Sequence, residues 1–313
     1  MNDASRFLLA CTLLIGFAGC RQVTGTFPDD GRIHITTTTG MIGDAVSQVA
    51  GTYATVKTLI GPGVDPHLFK ASHGDLQKLT SSDIVFYNGL HLEGKMSEVL
   101  HKLSRLKPTV AVADGLPDSL LLSPPEYPEA RDPHIWFDLR RWSMAVAEIE
   151  RALCRFHPEH CNDFRTNAAR YRAKLDSADV AARRLLAAIP PQQRVLITAH
   201  DAFGYFGNSY GVEVRGLQGL STLSDFGLRD VTTLVDFIVS RRIKAIFVET
   251  SVSPRAIRAV QEGCRKRGFE LRIGGSLYSD AMGEAGTPAG TYLGMFHANV
   301  LTITGALSGA QPR

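Results

Sequence analysis

A long stretch without helix-breaking residues divides the chain. From Pro158 to Ile189 there is no glycine, and the only proline is the first residue. The run AARYRAKLDSADVAARRLLAAI is rich in Ala, Leu, Arg and Lys, which favour helix. Pro190 and Pro191 end the pattern, because proline cannot continue a helix. The sequence therefore predicts one long helix over residues 158–189, with folded chain on both sides of it.

Strand-like and helix-like segments alternate on both sides of this stretch. The strand-like segments begin near Ile33, Tyr53, Asp83 and Pro108 in the first part and near Arg194, Val212, Lys244 and Phe269 in the second. Such alternation is typical of βα units around a mainly parallel sheet. Since 313 residues also exceed what one hydrophobic core usually supports, two domains are expected. The predicted fold class is α/β, with two lobes at 32–157 and 190–313, each a mainly parallel sheet flanked by helices and joined by the long helix.

Residues 1–31 differ from the rest of the chain. Arg6 precedes the apolar run FLLACTLLIGFAG, which leads to Cys20. A basic region, an apolar core of about 12 residues and small residues at its end predict an export signal over 1–19; a membrane-spanning helix needs roughly 20 apolar residues. Phe17-Ala18-Gly19-Cys20 resembles the bacterial lipobox, with Phe17 where Leu is usual. It predicts lipidation of Cys20 and a tether at 20–31. Cys11 is a weaker candidate, and a plain secretory signal is the alternative.

Because exported proteins can form disulfides, the three remaining cysteines, Cys154, Cys161 and Cys264, are candidates for disulfide bonds. Cys154 and Cys161 flank a predicted helix break at His157-Pro158, so a local bridge between them is possible. With three thiols, either one stays unpaired or all are reduced. Their spacing matches no zinc knuckle, which argues against metal binding by cysteine.

Composition and charge restrict the class of partner. The chain is 44% hydrophobic and 21% charged, which is ordinary for a globular protein and excludes a disordered one. Its 34 basic and 31 acidic residues are interspersed, and no long basic run could follow a phosphate backbone. Nucleic acid is therefore not an expected partner.

The tripeptide Asp-Pro-His occurs twice before the long helix. VDPHLF covers 64–69 and RDPHIW covers 131–136, each after a strand-like segment and an irregular loop. Proline fixes its own φ and biases the preceding residue toward extended geometry, which limits the freedom of the histidine that follows. In open α/β sheets, ligands bind at the carboxyl ends of strands. His67 and His134 are therefore candidate functional residues, although a single loop histidine is more often a structural hydrogen-bonding group.

Two further candidates lie in the second lobe. His200 follows the strand-like RVLIT, and Asp280 lies in SLYSDAMGEAGT after the last strand-like segment. Three imidazoles and one carboxylate, two side chains from each lobe, suit a tetrahedral divalent site, with Zn²⁺ favoured by imidazole and Mn²⁺ tolerated through the carboxylate. A catalytic zinc site normally keeps one position open for water, and four protein ligands leave little room for one. The set therefore predicts binding without catalysis.

Three residues are candidates to support these ligands. Glu249 ends the strand-like KAIFVE and Asp225 lies in STLSDFG, so either carboxylate could accept the spare N–H of an imidazole. A helix cap or a loop contact explains Asp225 equally well. His91, in NGLHLEG, could lie close to the site or on the surface.

Seven segments together resemble one known family. GVDPHLF, NGLHLEGKM, DPHIWFD, TAHDAFGYF, LQGLSTLSD, FVETSVSP and YSDAMGEAGTPAGTY recur in the order and spacing of the cluster A-I metal-binding solute-binding lipoproteins of bacterial ABC transporters, most like the TroA-like zinc and manganese receptors. The resemblance implies a rigid backbone helix between the lobes and metal ligands at His67, His134, His200 and Asp280. It also implies Zn²⁺ or Mn²⁺ as transported cargo, with Fe²⁺ as a third candidate.

The same resemblance implies where the protein works and with what. The expected partner is a membrane permease with its cytoplasmic ATPase, and the expected location is the periplasm or the cell surface, on a membrane through the lipid anchor. We expect a monomer. No His-rich loop separates the first two ligand positions, as it does in many zinc-dedicated members, and strict manganese members often have Glu where this chain has His200. The chain thus resembles the members that bind both metals.

The alternative function is a secreted metal-dependent hydrolase that uses the same histidines. The chain has no HExxH run. GNSYG at 207–211 has the letters of a nucleophile motif but falls within or just after a predicted helix, where the strand-to-helix turn of that motif is missing. The sequence therefore predicts that the protein is not an enzyme.

Overall fold

The computed structural model describes residues 30–124 and 128–308. The predicted export signal at 1–19, Cys20 and nearly all of the tether lie outside the described residues. Within the described ranges, no helix has both the length and the apolar character that crossing a membrane requires.

Strands and helices alternate along the chain, as predicted. The first part contains β1 Ile33–Thr37, α1 Gly40–Ala50, β2 Ala54–Thr58, α2 His73–Ser81, β3 Ile84–Tyr87, α3 Ser97–Ser104, β4 Thr109–Ala111 and α4 Leu139–Phe156. The long helix α5 Cys161–Ala187 follows. The second part contains β5 Val195–His200, α6 Gly204–Tyr210, β6 Glu213–Gln218, α7 Leu228–Arg241, β7 Ala245–Glu249, α8 Arg255–Lys266, β8 Arg272–Leu277 and α9 Tyr292–Leu307.

The strands are parallel in both lobes. The first lobe has one sheet in the order β2-β1-β3-β4. The second lobe has two parallel pairs, β5-β6 and β7-β8. At the ends of β5 and β7 the Glu249 carboxylate accepts hydrogen bonds from the N–H groups of Ala199 and His200, so a side chain joins the pairs there. The predicted α/β class, with parallel strands and flanking helices, is confirmed.

The helix predicted over 158–189 is α5, with 27 residues and a length of about 40 Å at 1.5 Å per residue. Pro158 begins a short 3-10 turn, Pro158–His160, before it. The buried side chains of α5 include Phe164, Ala168, Tyr171 and Leu175. They recur every three or four residues and so form one apolar stripe, which faces the rest of the molecule.

Helix α4 is an element that the alternation did not predict, although its end at His157-Pro158 was expected. Its buried side chains Trp142, Val146, Ile149 and Leu153 recur at helical spacing. Helix α4 packs directly against α5, and the short turn Pro158–His160 connects the two helices. The helix follows a long irregular segment after β4, and this interrupts the strand–helix alternation on which the prediction depended.

One hydrophobic core runs through both lobes. It includes Ile35 of β1, Trp142 of α4, Leu175 of α5, Phe247 of β7 and Val300 of α9. Two smaller clusters lie apart from it, one in each lobe. Because protein cores are close-packed, the lobes cannot move far relative to each other without breaking contacts in the shared core.

Candidate metal centre

Each of the four candidate ligands follows the carboxyl end of a strand. His67 lies in the loop after β2, and His134 lies in the long segment after β4, just before α4. His200 is the last residue of β5, and Asp280 lies in the loop after β8. Two candidate ligands therefore come from each lobe, at the edge where parallel α/β sheets bind their ligands.

The structure brings these four side chains together. Each offers one ligand atom, and the four atoms lie within 4.8 Å of one another. The Nε2 atoms of His67, His134 and His200 lie 3.7, 3.5 and 3.2 Å from carboxylate oxygens of Asp280. In a tetrahedral site with bonds of about 2.1 Å, two ligand atoms lie about 3.4 Å apart. The spacing thus fits a small divalent cation.

The inward-facing atoms of the cluster are buried and lack other partners. All four residues are at most 1% exposed. Within the described residues, the three Nε2 atoms and both Asp280 oxygens have no hydrogen-bond partner that satisfies normal geometry. Leaving a buried polar group unsatisfied costs about 1–3 kcal/mol, and more if it is charged. A cation at the centre of the cluster would satisfy all four side chains at once.

The repeated Asp-Pro-His motif has the same local function at both positions. Oδ1 of Asp65 accepts a hydrogen bond from the backbone N–H of His67 at 2.8 Å, and Oδ1 of Asp132 accepts one from the backbone N–H of His134 at 2.9 Å. Asp side chains commonly bond to their own backbone two residues on. The motif therefore fixes the backbone of each ligand.

The ring of His134 is also held by its own motif. Nδ1 of His134 lies 2.7 Å from Oδ1 of Asp132. A proton on Nδ1 in this contact leaves the Nε2 lone pair directed at the centre of the cluster. The contact between Asp132 and the ring of His134 was not predicted from the sequence. The position of Asp132, two residues before a candidate ligand, could have indicated it.

The ring of His200 is held by Glu249, one of the residues expected to support the ligands. Nδ1 of His200 lies 2.6 Å from Oε2 of Glu249, and both side chains are buried. The structure does not bring the other two candidates to the site. Asp225 is exposed on the loop after β6 and is not a member of the buried cluster of three histidines and Asp280. His91 is exposed and lines a separate cavity of about 230 Å³ with Tyr87 and His101.

The segment that contains His91 supports His134 through another residue. Gly89, Leu90 and His91 have φ values of 86°, 51° and 63°, so three consecutive residues are left-handed. This turn surrounds the buried Glu93 carboxylate, which accepts hydrogen bonds from the backbone N–H of Asn88 and the hydroxyl of Thr38. The Asn88 amide in turn donates to the carbonyl of Pro133 at 2.9 Å, immediately before His134. No local pattern indicates this contact in advance.

The protonation of the cluster follows from burial and charge. Burial lowers the pKa of His67 to about 3, although the Asp280 carboxylate opposes this. Burial alone would lower the pKa of His200 as well, but Glu249 and Asp280 outweigh it and hold that pKa well above 6.5. Burial would raise the pKa of Asp280, yet the three imidazoles, His200 foremost, hold it below its usual range. At neutral pH the metal-free cluster therefore has a neutral His67, an ionised Asp280 and a proton on His200.

The two cysteines that flank the α4–α5 turn are bridged. The Sγ atoms of Cys154 and Cys161 are 2.14 Å apart, and Cys264 is a buried free thiol.

Comparison with known proteins places the chain in a family. The model of the family described as "Zinc-uptake complex component A periplasmic" matches residues 35–306. The manganese-binding lipoprotein MntA of Bacillus subtilis (strain 168) is 50% identical over 302 residues, which cover 96% of this chain and 98% of that protein. The zinc-binding protein TroA of Treponema pallidum (strain Nichols) is 43% identical over 304 residues, which cover 96% of this chain and 98% of that protein.

A solved structure agrees with these sequence matches. The periplasmic zinc-binding protein TroA from Treponema pallidum superposes with a TM-score of 0.86 at 45% identity, covering 88% of this chain and 99% of that one. The resemblance that the seven segments indicated is confirmed. The chain belongs to the periplasmic zinc-uptake complex component A family, whose members are the substrate-binding proteins of metal ABC transporters.

Proposed function

We propose that this protein is an extracytoplasmic receptor that captures a divalent metal ion between its two lobes and delivers it to an ABC transporter permease for import. The proposed ligands are His67, His134, His200 and Asp280. The observation that supports this most directly is their buried, converging arrangement, in which the ligand atoms have no other satisfactory partner.

The arrangement favours binding over hydrolysis. All four ligands come from the protein and are almost completely buried, so no coordination position is left facing solvent for a reactive water. The serine of GNSYG, Ser209, lies in α6 and donates a hydrogen bond to Asp138 at 2.7 Å. It is therefore neither at a strand-to-helix turn nor beside a histidine base, and the hydrolase alternative has no support.

Zn²⁺ and Mn²⁺ are the proposed cargo, and Fe²⁺ is the third candidate. Three imidazole nitrogens suit Zn²⁺, and a carboxylate oxygen also suits Mn²⁺. The relatives' names point to both metals, since MntA is described as manganese-binding and TroA as zinc-binding. Because N/O sites generally bind Zn²⁺ more tightly than Mn²⁺, the metal in a purified sample reports availability as well as preference.

The proposed setting is the outer side of a membrane. MntA is a lipoprotein by name, which supports lipidation of Cys20 in this chain and a short tether to the folded part. The proposed partner is a permease with its ATPase, which the receptor would meet as a monomer. Intact mass of the membrane-extracted protein tests the anchor, because a diacylated Cys20 adds the mass of its lipid.

Competition titration of the metal-free protein with Zn²⁺, Mn²⁺ and Fe²⁺ tests the proposed site. We expect a single tight site per chain, and His67→Ala should weaken binding by about 100-fold or more, since loss of a supporting residue alone typically costs 10–100-fold. The matched control is His73→Ala, because His73 is an exposed histidine at the start of α2. Unchanged affinity in His67→Ala, with the control also unchanged, would contradict the ligand set.

A further inference from the structure

One hydrogen bond joins the loop of the first ligand to the opposite lobe. The hydroxyl of Thr222 donates to Oδ2 of Asp65 at 2.5 Å, across 157 positions of sequence. Thr222 lies in the loop between β6 and α7, in the second lobe, whereas Asp65 lies in the loop after β2, in the first. The other oxygen of the same carboxylate, Oδ1, accepts the backbone N–H of His67. A single carboxylate thus connects the second lobe to a candidate ligand.

His67 lacks the support at Nδ1 that the other two histidines have. Asp132 and Glu249 hold the Nδ1 atoms of His134 and His200. Among the described residues, Nδ1 of His67 has neither a hydrogen-bond partner nor a carboxylate oxygen within ion-pair distance. Apart from Asp280 on the Nε2 side, the position of the His67 ring is therefore set by its backbone and by packing, without a carboxylate behind Nδ1.

The chain just before His67 is weakly packed. Residues 61–64 are exposed, and Gly63 has a φ of 69°. The loop that contains Thr222 also contacts the first lobe at Gly94. If Gly94 had a Cβ, that atom would lie 3.4 Å from Cδ1 of Leu223. The contact between the two loops is thus local and peripheral, in contrast to the shared core that joins the lobes elsewhere.

We propose that Thr222 is a positioning residue that retains the bound cation by holding the His67 loop against the second lobe. This inference rests on the proposed function. When the hydrogen bond to Asp65 opens, the His67 loop is free to move away while His134 and His200 stay fixed by their own carboxylates. Loss of the cation then begins at His67.

A chelator chase of the metal-loaded full chain tests this role. We expect Thr222→Val to release Mn²⁺ or Zn²⁺ about 10-fold faster or more, because hydrogen bonds to charged groups are among the stronger ones in proteins. Thr222→Ser keeps the hydroxyl and should release at close to the wild-type rate. The matched control is Thr232→Val, which removes an exposed hydroxyl that donates to the carbonyl of Leu228 within α7.

Three outcomes separate the possibilities. A positioning role is supported if Thr222→Val and a second variant, Thr222→Ala, both release the metal faster and Thr222→Ser restores the wild-type rate. The visible spectrum of the Co²⁺-loaded variants should also be unchanged, because the ligands themselves are then unaltered. Wild-type release rates in both Thr222→Val and Thr222→Ala overturn it, as does a Thr222→Ser variant as fast as Thr222→Val. A wild-type protein that takes up no metal contradicts the proposed function and this inference with it, whereas equal rates from loaded proteins contradict the inference alone.

Discussion

At the scale of single residues, the three histidines differ in what lies behind the ring. Asp132 accepts from the ring of His134, Glu249 faces the ring of His200, and the ring of His67 has neither. A metal ion needs the unprotonated nitrogen of each imidazole. Glu249 and Asp280 stabilise an extra proton on His200, and this proton must leave when the cation binds.

Metal binding at neutral pH should therefore release about one proton, with affinity rising about tenfold per pH unit until the pH passes the pKa of His200. His67 should contribute no proton, because burial lowers its pKa to about 3 and it is already neutral. Calorimetry in buffers of different ionisation enthalpy measures the number of protons released. Glu249→Gln should reduce that number, since a neutral amide stabilises the imidazolium less, and should weaken binding by about 10–100-fold.

The matched control for Glu249→Gln is Glu262→Gln, because Glu262 is an exposed glutamate that pairs with Arg265 on α8. If the wild-type protein exchanged no proton on binding at pH 7, or if Glu249→Gln left the number unchanged, the assignment of the proton to His200 would be wrong.

How much of the site the sequence could predict depends on how far apart in the sequence the contacting residues lie. The four candidate ligands follow from local rules, since each lies at the carboxyl end of a strand-like segment or in the loop that follows it. Contacts that depend on tertiary packing were harder to predict from the sequence. Both Glu249, at the end of a strand, and Asp225, in a loop, were candidates to support an imidazole, but of the two it is Glu249 that faces one. The bond from Thr222 to Asp65 spans 157 positions, and no local pattern in either loop indicates it.

At the scale of elements, α4 and α5 form a helical hairpin against which α1 packs, and α5 also packs against α9. The sequence predicted α5 because its composition is helical throughout and proline bounds it on both sides. The same reasoning did not predict α4. Its sequence signal is a stripe of apolar residues at helical spacing, and the helix lies outside the strand–helix alternation from which the other helices were predicted. Strand order was not predictable either, because it is set by tertiary packing and not by the strands alone.

The bridge between Cys154 and Cys161 closes the hairpin and should contribute stability without affecting the site. The double variant Cys154→Ser/Cys161→Ser should lower the free energy of unfolding by about 2–3 kcal/mol, because a bridge over a short loop restricts the unfolded chain. Denaturant unfolding of the metal-free protein measures this. The same variant should bind metal with wild-type affinity, and Cys264→Ser serves as the control for losing a thiol that forms no bridge. An unfolding free energy equal to that of the wild type would show that the bridge does not constrain the unfolded chain.

At the scale of the whole molecule, the lobes are connected by more than a flexible hinge. Helix α5 spans about 40 Å, and the core around it includes side chains from the sheets of both lobes and from α9. Bending between the lobes would have to open this close-packed interior. Near the cation site the lobes also meet through loops, which include the His67 loop, the Thr222 loop and the Asp280 loop. The indole N–H of Trp136 donates to the carbonyl of Ser279 there, beside Asp280.

Release of the cation should therefore involve local movement of these loops and only a small change in the angle between the lobes. Small-angle scattering of the metal-free and metal-loaded protein should give radii of gyration that agree within error, whereas hydrogen exchange should increase on metal removal in the loops around His67, Thr222 and Asp280. Amides of α5 should exchange at the same rate in both states, because the apolar stripe that includes Phe164, Tyr171 and Leu175 stays packed. A lobe rotation of tens of degrees, or faster exchange along α5 in the metal-free protein, would contradict this account, since either would require the shared core to open when the cation leaves.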